Sequence, residues 1–329
     1  MSDLEIFPLS LPGGINQSAP QPGERDLENL DNFSIFRGRI ALRAPLEVLA
    51  TITGADAVLA VLEHVGKLWA IIWEDTLDQV HLYSMNVDGT VLVNEATVWT
   101  AVTSAPIISA VSFTGGTASE NKSRIYISDY DQNQNTVYWD DAASSISILT
   151  EDIDNDSSPE NLKFSLLIAY KFHLWGTGFY EGTPARPEML RFTQPGAIPG
   201  TDPAGGTNPK VFFSSDHRSL GRRGQKITAV TVAGDRLIVF QSRAANAIYG
   251  SGGDTWTKQE LSNITGCAGP RGVVSVDKRL AYFWASDGPY RTDGIRLEYI
   301  GDPIRQMVTE VDAAEDDIVV GYSPDDGLV

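Results

Sequence analysis

The chain has 329 residues, of which 42% are hydrophobic, and its 25 Lys and Arg residues face 43 Asp and Glu residues, for a formal net charge of −18. This composition predicts a sizeable hydrophobic core and excludes a globally disordered chain. The charge argues against a protein that grips nucleic acid through its phosphates. Two interpretations of the charge remain open, a soluble acidic surface and a channel wall past which nucleic acid slides.

The single cysteine, Cys267, excludes an intramolecular disulfide and favours folding in a reducing cytoplasm. Its neighbours, Gly266 on one side and 268–270 (Ala-Gly-Pro) on the other, predict a small buried residue in a tight turn rather than a nucleophile. No apolar run is long enough to predict a transmembrane helix, and residues 1–5 lack the features of a signal peptide.

The chain begins with a segment rich in Pro, Gly, Asn, Gln and acidic residues. Residues 1–32 are predicted to form an extended arm, and residues 33–44 to be strand-like with a bend at Gly38. We therefore divide the chain into an N-terminal arm with its first strands, residues 1–50, and a β-propeller, residues 51–329.

A short phrase recurs through the second region, in which a polar turn leads into an apolar strand. Its first copy runs from Val65 to Ala70. The aligned Leu or Ile residues of the copies are Leu68, Ile125, Leu174, Leu237 and Leu280, the second copy being degenerate. Recurrence at intervals of about 40 to 60 residues, with strands in each unit, predicts an all-β fold, a β-propeller of about five to six blades.

The predicted units follow one another along the chain. They cover residues 58–93, 107–149, 164–210, 226–261 and 272–298, and a strand at 317–322 is predicted to open a sixth unit. Within the third unit, 176–210 is predicted to be a long Pro- and Gly-rich loop, either a subunit contact or a catalytic loop. A short helix is predicted at 303–311. Three ways of completing the ring stay open: an N-terminal strand near 39–43, an open ring, or a partner.

No residue set predicts an active site, a cofactor site or a metal site. The four histidines, His64, His81, His173 and His217, do not have zinc-ligand spacing, and His173 is expected to be structural. The local run 214–218, which contains Ser, Asp and His217, is not taken as a catalytic triad, because triad residues meet in space rather than along a run.

Acidic residues give no sharper signal. Residues 152–156 open like a calcium loop, but Ser157 and Lys163 stand where the EF-hand pattern needs Gly and Glu. Paired carboxylates of the kind that glycosidases use are always available among so many acids. The motif at 251–256 resembles a sialidase repeat in its letters but has its Asp in the wrong place. The seven tryptophans lie in or beside predicted strands, which is typical of core aromatics; sugar stacking is the other interpretation.

Two stretches resemble a known family. The first is 11–16 (LPGGIN), followed by 28–32 (ENLDN) and 36–43 (FRGRIALR). The second is 234–240 (GDRLIVF), followed by 247–249, 255–256, 266–271 (GCAGPR), 285–291 (ASDGPYR) and 293–294. Together they resemble phage tail and virion proteins that build β-propeller rings, and most closely the tail nozzle of short-tailed phages. Nozzle proteins are usually longer, with further domains.

The resemblance implies a structural, non-enzymatic protein of the virion tail, made in the host cytoplasm and requiring no cofactor. It implies a homo-oligomeric ring, sixfold in symmetry, below the portal and adaptor. DNA would exit through the ring without specific binding, the host surface is a further contact, and no membrane insertion is implied. The alternative, from another class, is a carbohydrate-binding or carbohydrate-degrading propeller, such as a receptor-binding module or a glycosidase.

Overall fold

A computed structural model describes residues 33–36, 39–42, 52, 54–86, 92–115, 122–151, 160–178, 186–199, 217–220, 224–252, 255–302 and 318–322. In this part of the chain the fold is all β, apart from one short 3₁₀ helix at Asp75–Leu77. The predicted arm at 1–32 and the predicted helix at 303–311 lie outside the described residues, as does the acidic loop at 152–156.

Two short hairpins stand apart from the larger sheets. The first confirms the strand-like character predicted for 33–44 and consists of β1 (Phe33–Phe36) and β2 (Arg39–Leu42). The second lies between two larger sheets and pairs β11 (Thr150–Glu151) with β12 (Glu160–Asn161).

Five four-stranded antiparallel sheets form the body of the molecule, and each is a meander in which consecutive strands pair. We call them blades 1 to 5. Blade 1 consists of β3 (Ala57–His64), β4 (Lys67–Glu74), β5 (Gln79–Asn86) and β6 (Leu92–Thr100). Blade 2 consists of β7 (Ile108–Gly115), β8 (Lys122–Asp129), β9 (Val137–Asp140) and β10 (Ser145–Ile148).

The remaining blades repeat this plan. Blade 3 consists of β13 (Leu166–Tyr170), β14 (His173–Thr177), β15 (Met189–Phe192) and β16 (His217–Ser219). Blade 4 consists of β17 (Ile227–Ala233), β18 (Arg236–Gln241), β19 (Ala244–Tyr249) and β20 (Thr257–Ser262). Blade 5 consists of β21 (Val273–Val276), β22 (Leu280–Ala285), β23 (Gly288–Thr292) and β24 (Leu297–Tyr299).

The first strands of consecutive blades contact one another in chain order, β3 with β7, β7 with β13, β13 with β17, and β17 with β21. Blades that meet along their first strands radiate from a common axis, which is the arrangement of a β-propeller. The predicted fold class is therefore confirmed, and five blades lie within the described residues.

Four buried apolar clusters fill the spaces between consecutive blades, so blades 2, 3 and 4 bury apolar residues on both faces. Aromatic pairs contact one another across three of these spaces. The ring centroids of Trp69 and Trp139 are 5.5 Å apart between blades 1 and 2, and those of Trp175 and Trp256 are 5.0 Å apart between blades 3 and 4. Between blades 4 and 5 the ring centroids of Phe240 and Phe283 are 4.6 Å apart. Burying one such side chain stabilises the fold by about 1.5–3 kcal/mol. Among the described residues no cluster joins blade 5 to blade 1.

The repeated phrase is the turn between the first and second strands of a blade. In four blades this turn holds two successive residues with positive φ, which gives a hairpin the twist of its flanking strands. They are Val65 and Gly66, Lys171 and Phe172, Gly234 and Asp235, and Asp277 and Lys278. The degenerate copy at Ile125 lies on β8, the second strand of blade 2.

Two predictions about the strands are wrong. The loop predicted at 176–210 contains β15, the third strand of blade 3, whose four residues are all buried. The sixth unit does not begin with a strand at 317–322, because residues 318–322 are irregular, although the backbone N–H of Val320 donates to the carbonyl of Arg271.

Candidate functional site

The alternation of strands places two different sets of connections at the two ends of the propeller. We call one end the turn face; it carries the turns between first and second strands and between third and fourth strands. The loop face carries the turns between second and third strands and the links between blades. Each end holds one candidate site.

A cavity of about 680 Å³ lies at the loop face. Its walls come from four separate parts of the chain: the start of β3, the link between blades 1 and 2, the loop after β8, and Arg271 from the link between blades 4 and 5. These parts converge because all four lie at the same end of the blades, close to the axis. The volume falls within the range of small-ligand sites. We call it the axial cavity.

Asp129 ends β8 at the wall of the axial cavity and is 2% exposed. Its carboxylate accepts hydrogen bonds from the backbone N–H groups of Asp131, Asn133 and Gln134, at 3.1, 2.9 and 3.1 Å. Burial raises the pKa of Asp129, although these three N–H groups act in the opposite direction. Asp129 therefore shapes the loop that forms one wall of the cavity.

Asp131 and Arg271 bring further charges to the cavity. The carboxylate of Asp131 is 3.0 Å from Nζ of Lys226, whose ammonium lies 3.4 Å from the centre of the Tyr130 ring. Arg271 lines the cavity, and its guanidinium makes no ion pair with any described residue. The cavity thus combines two acids that already have partners with one cation that has no ion-pair partner among the described residues.

The turn face brings Ser112, His64 and Asp141 into one hydrogen-bonded row between blades 1 and 2. The Oγ of Ser112 is 2.8 Å from Nδ1 of His64, and Oδ2 of Asp141 is 2.9 Å from Nε2 of the same ring. With the proton on Nε2, His64 donates to Asp141 and accepts from the hydroxyl of Ser112. Sequence reasoning missed this row, because its members are 48 and 77 residues apart in the chain.

The composition of this row is that of a Ser, His and Asp triad, but its surroundings are those of a structural bridge. His64 is 1% exposed, and both of its nitrogens are used within the row. None of the three residues lines the axial cavity. We therefore interpret the row as a polar bridge between two blades.

The turn face also exposes two apolar side chains at the tips of its turns. Phe172 is 82% exposed and Val65 is 67% exposed. Both stand at positive φ, 62° and 50°, a backbone conformation that is costly for bulky or β-branched residues. In the equivalent turns of blades 4 and 5 these positions are occupied by Gly, Asp and Lys.

The remaining histidines that sequence analysis singled out do not form a site. His81 is buried, with Nε2 3.6 Å from the carboxylate of Glu74. His173 is buried among aromatic rings, as expected, and Nδ1 contacts the carbonyl of Thr193. His217 lies on β16, whose side chains are not described. In the described part of the chain, no group of three or more His, Cys, Asp or Glu residues could hold a metal ion.

The predictions for the cysteine and the tryptophans are tested by burial. The buried position predicted for Cys267 is confirmed, since it is fully buried between blades 4 and 5. Five of the seven tryptophans are buried in the apolar clusters, which confirms the core interpretation for Trp69, Trp99, Trp139, Trp175 and Trp256. None of the described helices has the length and apolar character of a membrane span.

Comparison with known proteins yields little beyond the fold. No family model matches the chain, and no curated protein matches it. Among solved structures, the chain is similar to CoXyl43, a GH43 β-xylosidase/α-arabinofuranosidase from a compost microbial metagenome, in complex with xylotriose. The two are 12% identical with a TM-score of 0.32, and the match covers 77% of this chain and 96% of that one.

This comparison corrects one expectation. The chain was expected to be non-enzymatic, whereas a solved structure that it matches is a glycosidase. We therefore withdraw the expectation that the chain is not an enzyme. At this identity and TM-score the likeness assigns no activity and no catalytic residue to the chain.

Proposed function

We propose that the chain is a subunit of a phage tail ring, placed at the nozzle or in a related ring below the portal and adaptor. About six copies surround a channel through which DNA leaves the virion, and the ring also meets the host surface. The proposal draws on the motifs shared with virion propellers and on one structural observation, the exposed apolar tips of the turn face.

The energetic argument starts from these tips. A non-glycine residue at positive φ costs roughly 1–2 kcal/mol, and an exposed Phe or Val gains nothing from water to offset that cost. Gly, Asp or Lys occupies the same positions in other blades of this chain. An apolar side chain at the tip is therefore best explained by contact with another protein surface.

The charge supports a channel that DNA passes through. A protein with a net charge of −18 repels the phosphate backbone. A lumen lined by acidic residues would not retain DNA during ejection. The acidic composition and the proposed passage of DNA are thus compatible.

Sedimentation equilibrium tests the proposed contact. The wild-type chain is expected to sediment as an assembly of about six copies. Phe172→Ala removes the exposed ring and keeps the strained backbone, so we expect dissociation into smaller species. Lys278→Ala, at a polar tip with the same backbone conformation, is the matched control and should assemble normally. Equal assembly of all three proteins would refute a role for the apolar tip.

The axial cavity supports a second candidate function, a carbohydrate-binding or carbohydrate-degrading propeller. The observation that favours it is the pair Asp129 and Asp131 on one wall, where burial raises the pKa of Asp129. Glycosidases use two carboxyl groups, one as the acid and the other as the nucleophile or base.

Incubation with a panel of oligosaccharides tests this second candidate through binding and the release of reducing sugar. Asp131→Asn keeps the size of the side chain and should abolish hydrolysis. Asp287→Asn, on a turn of blade 5 outside the cavity, is the control. Release of sugar by the wild type that survives in Asp131→Asn would place the activity elsewhere.

A further inference from the structure

The charge pattern of the axial cavity identifies what it can hold. Asp131 has Lys226 as its partner, and both oxygens of Asp129 accept backbone hydrogen bonds. Arg271 alone presents a charged group without an ion-pair partner among the described residues. A guanidinium without an ion-pair partner can bind a carboxylate through two parallel N–H···O hydrogen bonds.

The acids limit the charge of the ligand. A carboxylate of charge −1 satisfies the one guanidinium, whereas a dianionic phosphate would place its second charge near Asp129 and Asp131. Because opposite charges attract and like charges repel, this lining favours a monoanion over a dianion.

The rest of the lining suits a polyhydroxylated ring. Thr103 and Ser104 contribute hydroxyl groups and Asn133 and Gln134 contribute amides, which together donate to and accept from sugar hydroxyls. Aliphatic groups stand among them and can cover the C–H face of a sugar ring: Leu59, Val102 and Pro106. The cavity opens to solvent through the exposed residues Ala101, Thr103 and Ser104.

We propose that the axial cavity binds an acidic sugar of the hexuronic-acid class, with the sugar carboxylate on the guanidinium of Arg271. The inference rests on the second candidate function and names its ligand. For a protein that meets a host surface, such a ligand is a residue of an acidic surface polysaccharide.

Titration of the full chain with D-glucuronate, D-glucose and inorganic phosphate, followed by calorimetry or ligand-observed NMR, tests this inference. Glucuronate should bind at least about tenfold more tightly than glucose or phosphate. Arg271→Gln should remove that preference, and Arg271→Lys, which keeps the charge but loses the fork, should retain part of it. Arg279→Gln, exposed on the turn face, is the control and should bind as the wild type does.

Equal binding of glucose and glucuronate would overturn the inference and leave a neutral-glycan site standing. Tighter binding of phosphate would overturn it in favour of an anion site. Failure to bind either sugar would overturn both the inference and the second candidate function. Unchanged thermal unfolding of Arg271→Gln, measured in parallel, ensures that lost binding reports the cavity rather than the fold.

Discussion

At the scale of single residues, the polar bridge shows how hydrogen bonds compensate for the burial of a histidine side chain. His64 is almost fully buried, and its two nitrogens are satisfied by Ser112 of blade 2 and by Asp141 of the same blade. Losing one partner would leave a ring nitrogen buried without a hydrogen bond, which costs about 1–3 kcal/mol. The row therefore contributes to holding blades 1 and 2 together.

Ser112→Ala should lower the free energy of unfolding by about 1–2 kcal/mol, because Nδ1 of His64 loses its partner. Urea unfolding, monitored by tryptophan fluorescence, measures this change in the free energy of unfolding. Thr114→Ala is the matched control on the same strand, since its hydroxyl pairs with Ser123 at an exposed position and should matter little. An equal effect of both substitutions would contradict the importance of the bridge.

The exposed tip of blade 3 makes a second prediction at this scale. Phe172→Gly relieves the positive φ and should raise the free energy of unfolding of the single chain by about 1 kcal/mol. Phe172→Ala keeps the strain and should not raise it. Chemical unfolding at low protein concentration, where the single chain predominates, compares the stabilities of Phe172→Gly and Phe172→Ala. A destabilised Phe172→Gly would mean that the ring contributes contacts within its own chain.

At the scale of elements, a buried ion pair joins two strands of blade 2, and a hydrogen bond from its arginine reaches the chain that follows β15 of blade 3. Arg124 on β8 is buried; it pairs with Asp140 on β9 through Nε at 3.0 Å and donates to the carbonyl of Pro199 at 2.7 Å. Burial alone would raise the pKa of Asp140, but the hydrogen bonds and charge of Arg124, with the N–H groups of Ala142 and Ala143, hold it below its usual value.

This depressed pKa predicts the response of the fold to acid. The stabilisation is fully present above the unfolded-state pKa of about 3.9 and is lost as the pH falls through the lower folded-state pKa. Asp140→Asn should therefore destabilise by about 3–5 kcal/mol at neutral pH, because Arg124 stays buried without its partner. The difference from the wild type should shrink below about pH 4.

Unfolding curves measured across this pH range test the prediction. Glu298→Gln breaks the exposed pair with Arg291 and is the control, since an exposed pair contributes little at any pH. A destabilisation by Asp140→Asn that does not change with pH would assign its effect to packing rather than to charge.

The elements also show what the sequence could predict. In four blades the repeated phrase located the turn between the first and second strands, because such a turn needs a twist that few residues supply. The apolar strand after the turn fills the core. β15 was missed because the prolines and glycines around it dominate 176–210, while its own four residues are too few to show a period. The strand predicted at 317–322 has apolar residues but no neighbouring strand to pair with in the described part of the chain.

The candidate sites could not be predicted in the same way. The axial cavity assembles the start of β3, the link after β6, the loop after β8 and Arg271, and nothing local to these segments indicates that they meet. The members of the row, Ser112, His64 and Asp141, likewise come from distant parts of the chain that meet only in the fold. Both depend on the order in which blades close around the axis, which is a property of the fold and not of any motif.

At the scale of the whole molecule, charge should control assembly. Copies that each carry −18 repel one another, and salt screens this repulsion while leaving apolar contacts in place. Raising the NaCl concentration from about 0.05 M to about 0.5 M, where the Debye length becomes shorter than the spacing between subunits, should increase the fraction of assembled protein. Light scattering measures that fraction. Dissociation by salt would instead indicate that ion pairs hold the ring together.

Images of single particles of the purified chain, taken together with its mass in solution, test the central proposal most directly. The proposal predicts closed rings of about six copies with an open central hole, and a mass about six times that of one chain. Isolated particles with the mass of one chain, at every protein and salt concentration, would contradict a ring-forming tail subunit.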